Sequence, residues 1–400
     1  MEISTLDRLI LDVANEEVPK PRRIAVLDDP SGDLLASVLE SSSVEVIYFG
    51  TRTIDQAHRA LEVAERAGAQ LDAGAHEAAS IQTEGTPGGR GGKIVHVAGF
   101  ESPLRLEEFL AKPIDLAIGR VPKSLEETAY IAAAVAGAGG ILVIGANNKH
   151  MDRGHNATLA NYFTDVRASL GRGKFRTLIG GGEAIGRTYS PAVGRAEYGP
   201  IFGVGGVFSG ADEDAGGKFL LDHALNDMKA ENIAHKAALD PWSSWERPSE
   251  GRRTDNLDVV DLGCGNGAVV LAVLDALPEA RVLATDTHAD AIVSASLTLG
   301  EFVEGGRARI TWDDAAGEEE EASADVVLLN PPFHDGTAID ATLVQGLLDA
   351  SRRLLRPSGR LYMVHNNHLR YRSEVEARFE QVQQLARNPK FTVLRASTPR

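Results

Sequence analysis

Asp261-Leu-Gly-Cys-Gly-Asn-Gly267 is the stretch on which the reading of this chain turns. It follows the apolar pair Val259-Val260 and precedes a helical pattern from Ala268 to Leu277. Gly263, Gly265 and Gly267 permit positive φ and remove Cβ atoms where a ligand must approach the backbone. A turn of this kind at the carboxyl end of a strand is where open α/β sheets bind ligands.

The spacing is G-x-G-x-G, not the dinucleotide fingerprint G-x-G-x-x-G, so no pyrophosphate need sit at the helix N-terminus. In S-adenosylmethionine enzymes such a turn wraps the amino-acid and ribose parts of the cofactor. The next strand then ends in an acid for the ribose hydroxyls, and Asp286 of Ala284-Thr-Asp286 is placed for that. The third strand, Ala308 to Trp312, delivers a polar group to adenine. Asp313 and Asp314 are the candidates, and Asp314 is preferred because it directly precedes Ala315 at the strand exit. Cys264 reads as a turn residue, since no partner base for a nucleophile is identifiable. No metal is called for.

Asn330-Pro-Pro-Phe333 follows the fourth strand of the same half. An aromatic amine such as guanine N2 is a poor nucleophile because its lone pair is delocalised into the ring. Acceptors aimed at its two hydrogens orient that lone pair toward an electrophile. Asn330 offers a side-chain carbonyl and Pro331 a backbone carbonyl, while Pro331 and Pro332 stiffen the loop. Phe333 is suited to stacking on an extracted base. His334 and Asp335 adjoin the loop and read as shaping it. The glycine turn and this loop, in this order, point to a methyltransferase acting on an amino nitrogen.

Around these motifs, β-rich runs alternate with longer helical patterns, which implies parallel sheets covered by helices on both faces. Ile24–Leu27, Val44–Ile47, Ile94–Val97 and Ile141–Ile144 are the first-half strands, with helices over Ile54–Ala67 and Ser124–Ala136. The halves can be overlaid. Val26-Leu-Asp28 matches Val259-Val-Asp261, Asp115–Pro122 matches Asp325–Pro332, and Ile144–Lys149 matches Met363–His368, in the same order. The expected fold is α/β, with two tandem Rossmann-like methyltransferase domains from a duplication. Residues 1–190 form the first and 191–400 the second. In the first copy the turn shrinks to Asp29-Pro-Ser-Gly32, Arg120 stands where Asn330 stands, and Lys123 where Phe333 stands. That copy is therefore read as degenerate, a binding platform and not a second enzyme.

Asp72 to Gly92 reads as a flexible loop. Asn226 to Asn256 reads as irregular, with Trp242 and Trp245 packing on the domain face, and Glu318–Glu321 as a solvated acidic run. A net charge of −16 excludes indiscriminate nucleic-acid binding through a basic surface. It leaves room for a specific RNA met by a local patch. One cysteine fits a reducing compartment. With no apolar stretch of membrane-span length and no N-terminal apolar leader, a cytoplasmic protein without membrane contact is expected.

Taken together, these segments resemble the bacterial ribosomal RNA guanine-N2 methyltransferase family (RsmC/RlmG-like). The segments that carry the resemblance are Gly206-Val-Phe-Ser209 with Gly217–Leu221, Asp261–Gly267, Asn330–Gly336, Asn366–Tyr371 and Lys390–Leu394. The resemblance implies S-adenosylmethionine as donor, N2-methylguanosine as product, and ribosomal RNA or a ribosomal subunit as partner; apart from the resemblance, a monomer is expected. It also implies a first domain that is methyltransferase-like but degenerate, and a role for Phe208 in closing over the cofactor. The tail His365–Tyr371 looks more like the large-subunit member.

A target base must leave its stack to reach Asn330, at a cost of a few kcal/mol that RNA contacts elsewhere must offset. Arg172-Gly-Lys-Phe-Arg176 with Arg187 is the best basic patch. Lys149, His150 and Arg153, and then Arg370 and Arg372, are further candidates. Two other readings compete. One is an amino methyltransferase for DNA adenine N6 or a protein glutamine, because the Asn-Pro-Pro loop serves those chemistries too. The other is a non-catalytic ribosome-assembly factor, against which the intact Asn330 and glycine turn argue.

Overall fold

The computed structural model describes residues 3–67, 69–72, 79–83, 94–97, 105–110, 113–238, 257–331 and 341–399. The chain divides into two compact units. One comprises Met1–Ala192, Val204–Gly210 and His288–Val293, the other Val193–Gly203, Ala211–Thr287 and Ser294–Arg400.

Nine strands of the first unit form one sheet among the described residues. They are β1 (Arg23–Leu27), β2 (Val46–Gly50), β3 (Ala69–Asp72), β4 (Ala79–Thr83), β5 (Ile94–Val97), β6 (Leu116–Arg120), β7 (Ile141–Asn147), β8 (Phe163–Ala168) and β9 (Phe175–Ala184). Their order is β3-β4-β5-β2-β1-β6-β7-β9-β8. β10 (Ala192–Ala196) and β11 (Gly199–Gly203) pair as a separate ribbon.

The second unit holds β12 (Asp258–Leu262), β13 (Arg281–Asp286), β14 (Ala308–Trp312), β15 (Ala324–Leu329), β16 (Leu355–Asn366), β17 (Phe379–Arg387) and β18 (Phe391–Pro399). They are ordered β14-β13-β12-β15-β16-β18-β17. The central strands are almost wholly buried runs, as parallel strands covered on both faces must be. Val327, Leu329, Leu361 and Met363 of this sheet pack with Val344, Leu348 and Leu354 of the helix Ala341–Leu354. On the helix Ala215–Ala238, Asp227 accepts the hydroxyl of the fully buried Tyr362 at 2.7 Å and pairs with Arg395 at 3.2 Å.

With the β3–β4 edge set aside, both sheets have the same order and directions, ending in an antiparallel pair. The likeness reaches single residues. Asp115 accepts the backbone N–H of Arg23 at 2.8 Å, and Asp325 that of Asp258 at 2.9 Å, each at the start of its central strand. Asn147 pairs with Phe175 and Asn366 with Phe391, and each phenyl ring lies under a lysine, Lys174 or Lys390.

Register corrects one sequence overlay. Ile24–Leu27 pairs with Leu116–Gly119, and Val259–Leu262 with Val326–Leu329. The counterpart of Asp261 is therefore Val26, not Asp28, and the first turn has not shrunk. Gly32 and Gly267 both open their helices, at φ 78° and 82°, and each backbone N–H reaches back three residues, to Asp29 or Cys264. Matching acid to acid had offset the overlay by two residues, which only strand pairing reveals. At the third turn position Gly265 has φ 53°, which Pro30 cannot adopt because its ring holds φ near −65°.

Two loop expectations also change. Ala79–Thr83, placed in a flexible loop, is a strand paired with β3 and β5, because its backbone completes a sheet edge. Asn226–Ala238, read as irregular, continues the helix that begins at Ala215. Trp242 and Trp245 lie outside the described residues. Of the acidic run, Glu319 pairs with Arg309, while Glu318, Glu320 and Glu321 are exposed.

Candidate active site

Three neighbouring parallel strands, β13, β12 and β15, place the site at their carboxyl ends. β12 ends in the glycine turn. Gly263 and Cys264 donate their N–H groups to the carbonyl of Thr285 on β13, at 2.9 and 3.0 Å, and Gly265 donates to Oδ2 of Asp286 at 3.0 Å. The turn is thus pinned to the end of the next strand. A Cβ on Gly263 or Gly265 would meet nothing within 4 Å, so the space beside these residues is open. At Gly267 a Cβ would lie 3.3 Å from Ala295 and Leu299, so this glycine is needed for helix packing as well as for its positive φ.

Asp261 is 2% exposed and its Oδ2 has no hydrogen-bond partner among the described residues. Burial, with the charge of Asp286 added, pushes its carboxyl up to about 7. An unspent carboxylate oxygen beside an open glycine cradle suits a cationic ligand group bearing N–H donors. The S-adenosylmethionine ammonium is such a group, so these residues fit the cofactor. Burial and the same two carboxylates raise the Cys264 thiol well above its usual range, which keeps it from being a thiolate nucleophile.

Asp313 lies at the exit of β14, where its N–H meets the carbonyl of Asp286 and its carboxylate accepts the N–H of Glu318. Asp314 is exposed and lines a surface hollow with Gly317, Gly346, Asp349 and Arg353, to which none of the glycine-turn residues contributes. Phe208 is 56% exposed on Val204–Gly210, a segment of the first unit.

Asn330 follows β15 directly, and Pro331 behind it is buried. The Asn330 Nδ2 donates to Asp214 Oδ2 at 2.9 Å, while its Oδ1 is buried with no partner among the described residues. Pro332, Phe333, His334 and Asp335 lie outside the described residues. Sequence reasoning missed Asp214, which sits in an acidic cluster, Asp212-Glu213-Asp214, that looks like a solvated loop. It also missed Asn266, whose amide donates to the Asp212 carbonyl at 2.9 Å and accepts from Ala268 at 3.1 Å.

In the first unit, the hairpin that ends β8 and opens β9 carries Arg172, Lys174 and Arg176, all exposed. Arg172 is paired with Asp12 at 2.7 Å. The Asn148 N–H donates to the Lys174 carbonyl, which brings Lys149 and His150 to the same end of the sheet. Arg187 lies over the Tyr162 ring. In the second unit Arg370 is exposed and Arg372 pairs with Glu376.

A run of parallel strands with this glycine turn, an acid ending the next strand and an asparagine just past the neighbouring strand on the other side defines an S-adenosylmethionine-dependent methyltransferase. The "Methyltransferase small domain" family matches residues 251–395. The chain is 31% identical over 288 residues to the ribosomal RNA large subunit methyltransferase G of Ectopseudomonas mendocina, covering 71% of each. It is 33% identical to that of Pseudomonas fluorescens, covering 72% of each, and 32% identical to that of Streptomyces coelicolor, covering 71% of this chain and 72% of that one. The chain belongs to this methyltransferase family. A match covering 99% of the chain shows it similar in fold to the T. thermophilus 16S rRNA N2 G1207 methyltransferase RsmC, solved with AdoMet and guanosine. The TM-score is 0.67 at 20% identity, and 92% of that chain is covered.

Proposed function

We propose that this protein transfers a methyl group from S-adenosylmethionine to the exocyclic N2 of a guanine in ribosomal RNA, in the large subunit by preference. The observation that carries this is the buried, unspent Oδ1 of Asn330, one strand away from the glycine turn. A hydrogen-bond acceptor left without a partner in a buried position is expensive unless a ligand supplies the donor, and an amine N–H is such a donor. The large-subunit preference rests on the tail His365–Tyr371 and on the names of the relatives.

When bound, the cofactor supplies an electrophilic sulfonium methyl. Asp261 holds its ammonium, Gly263, Gly265 and Gly267 admit it to the backbone, and Asp286 takes the ribose hydroxyls. Asp314 is assigned to adenine and Phe208 to closure over the site. Asn330 Oδ1 and the carbonyl of Pro331 accept the two amine hydrogens and turn the nitrogen lone pair toward the methyl. Pro332 stiffens the loop and Phe333 stacks on the base. Positioning and fixed dipoles carry the rate. The alkylated amine becomes acidic and loses its proton readily, so a strong base is unnecessary.

The first unit is the degenerate copy and the platform that reads the RNA. Its turn carries Pro30 and Val26 where Gly265 and Asp261 stand. Arg120, at the Asn330 position, is spent on an ion pair with the buried Asp7 at 2.5 Å. The exposed hairpin cations Lys174 and Arg176 are the first RNA contacts to test. Among the described residues no helix is long and apolar enough to cross a membrane, and a monomer working in the cytoplasm completes the proposal.

Nucleoside mass spectrometry of both ribosomal RNAs from cells lacking the protein tests it. Complementation with wild type restores N2-methylguanosine and Asn330→Ala does not. Unchanged N2-methylguanosine in both RNAs of the deficient cells sinks the reading. In vitro competition among ribosomal RNA, DNA and protein acceptors separates it from the other amino methyltransferases.

A further inference from the structure

We infer that Asp214 is the positioning residue for Asn330: its carboxylate fixes which end of the amide faces the substrate and strengthens that end as an acceptor. This rests on the reading of Asn330 as the amine acceptor. The Asn330 Nδ2 donates to Asp214 Oδ2 at 2.9 Å, and the same oxygen accepts the Gly217 N–H at 2.8 Å.

A carboxylate only accepts hydrogen bonds, whereas an amide has a donating and an accepting end. Of the two orientations related by a flip of the Asn330 amide, one would set Oδ1 against the carboxylate and is repelled. The other gives Nδ2 to Asp214 and leaves Oδ1 free to face the acceptor amine. That is the orientation found, and Oδ1 is the atom without a partner among the described residues. Drawing the amide hydrogens toward a negative charge also shifts electron density onto Oδ1 through the conjugated amide. The acceptor is therefore strongest where it is needed, as the attacking amine becomes more acidic.

The segment that carries Asp214 is itself held in place. Gly217 and Lys218 donate to the Asp214 side chain and carbonyl, so Asp214 caps the helix Ala215–Ala238. The Asp212 carbonyl accepts from Asn266 in the glycine turn. One short segment thus ties the cofactor turn to the catalytic amide. In the first unit the corresponding residue, Arg120, also meets an acid near the start of the preceding helix, Asp7, but presents no acceptor. The second unit keeps the architecture and substitutes a side chain whose far end is an acceptor.

Asp214→Ser retains a helix cap but cannot reach Asn330, and Asp214→Asn retains a neutral acceptor. In single-turnover and steady-state assays on ribosomal RNA, kcat falls about 10–100-fold in Asp214→Ser. KM for RNA and the Kd for S-adenosylmethionine each stay within about twofold. Asp214→Asn recovers part of kcat. Wild-type kcat in Asp214→Ser overturns the proposal. So does a loss matched by an equal loss of cofactor affinity and thermal stability that Asp214→Asn does not relieve, for then Asp214 is only a cap. If the wild type methylates no guanine in ribosomal RNA, the functional reading fails, and the positioning role is decided without activity. Solvent exchange of the Asn330 side-chain NH2 protons, followed by NMR, is slow in wild type and fast in Asp214→Ser if Asp214 holds the amide. Equal exchange in both overturns it.

Discussion

Asp286 takes the N–H of Gly265 on one oxygen and, through its charge, helps hold the buried Asp261 carboxyl up to about 7. The end of the second strand thereby both shapes the glycine turn and tunes the acid beneath it. A site with two carboxylates this close is poised for a cation.

The first consequence concerns stability and pH. Because Asp261 binds its proton more tightly folded than unfolded, its contribution is fully present below pH 3.8 and is lost as the pH rises through about 7. Asp261→Asn removes the buried charge. Chemical denaturation should find the ligand-free variant more stable than wild type at pH 8 by about 1–3 kcal/mol, with a smaller gain at pH 5. A gain that does not grow with pH contradicts the assignment.

Cofactor binding should release protons. A bound ammonium favours the ionised form of Asp261, so between pH 6 and 7, about the folded-state value, binding releases up to one proton. Calorimetry in buffers of different ionisation enthalpy reads this number. In Asp261→Asn the release disappears and affinity falls.

Two of the turn glycines should fail differently. Gly265→Ala meets no neighbour within 4 Å but must hold φ 53°, so it costs about 1–2 kcal/mol in stability and loses cofactor binding through the intruding methyl. Gly267→Val adds a clash with Ala295 and Leu299 and should lower Tm more. Thermal melts with and without S-adenosylmethionine separate the two.

Asn330→Ala removes the oriented acceptor. Methyl transfer should drop about 10²–10³-fold while the Kd for S-adenosylmethionine changes little, because Asn330 serves the acceptor amine. Equilibrium dialysis with labelled cofactor beside a transfer assay checks both. A parallel loss of cofactor binding would place Asn330 in the wrong role.

Reversing the charges of Lys174 and Arg176 to Glu should weaken RNA binding and flatten its salt dependence, with cofactor affinity intact. Arg172 is a weaker target because Asp12 already pairs with it. Filter binding across a salt series measures the slope, and equal losses for RNA and cofactor would count against the patch.

Much of the site was legible because its signals are local. The glycines must be glycines where φ is positive, and Asp286 ends the next strand as the spacing implied. The duplicated order was legible too, through Asp115 and Asp325 and the paired asparagines. What escaped was non-local. The offset of the first turn depends on which residue of β6 faces Val26, and an acid-to-acid match misjudged it. Asp214 looked like one more surface acid because Asn330, 116 positions along the chain, gives it its meaning.

The amino-acid sequence by itself determined the chemistry available: a turn only glycine can make, an acid beneath it, an amide and a proline after a neighbouring strand. Such properties follow from backbone sterics and side-chain type within a few residues. Only the tertiary structure decided how those groups are set. It buried Asp261 beside Asp286, which governs its proton, and brought Asp214 to Asn330, which governs the free end of the amide. Protonation and hydrogen-bond orientation depend on burial and on distant neighbours, and folding alone supplies those.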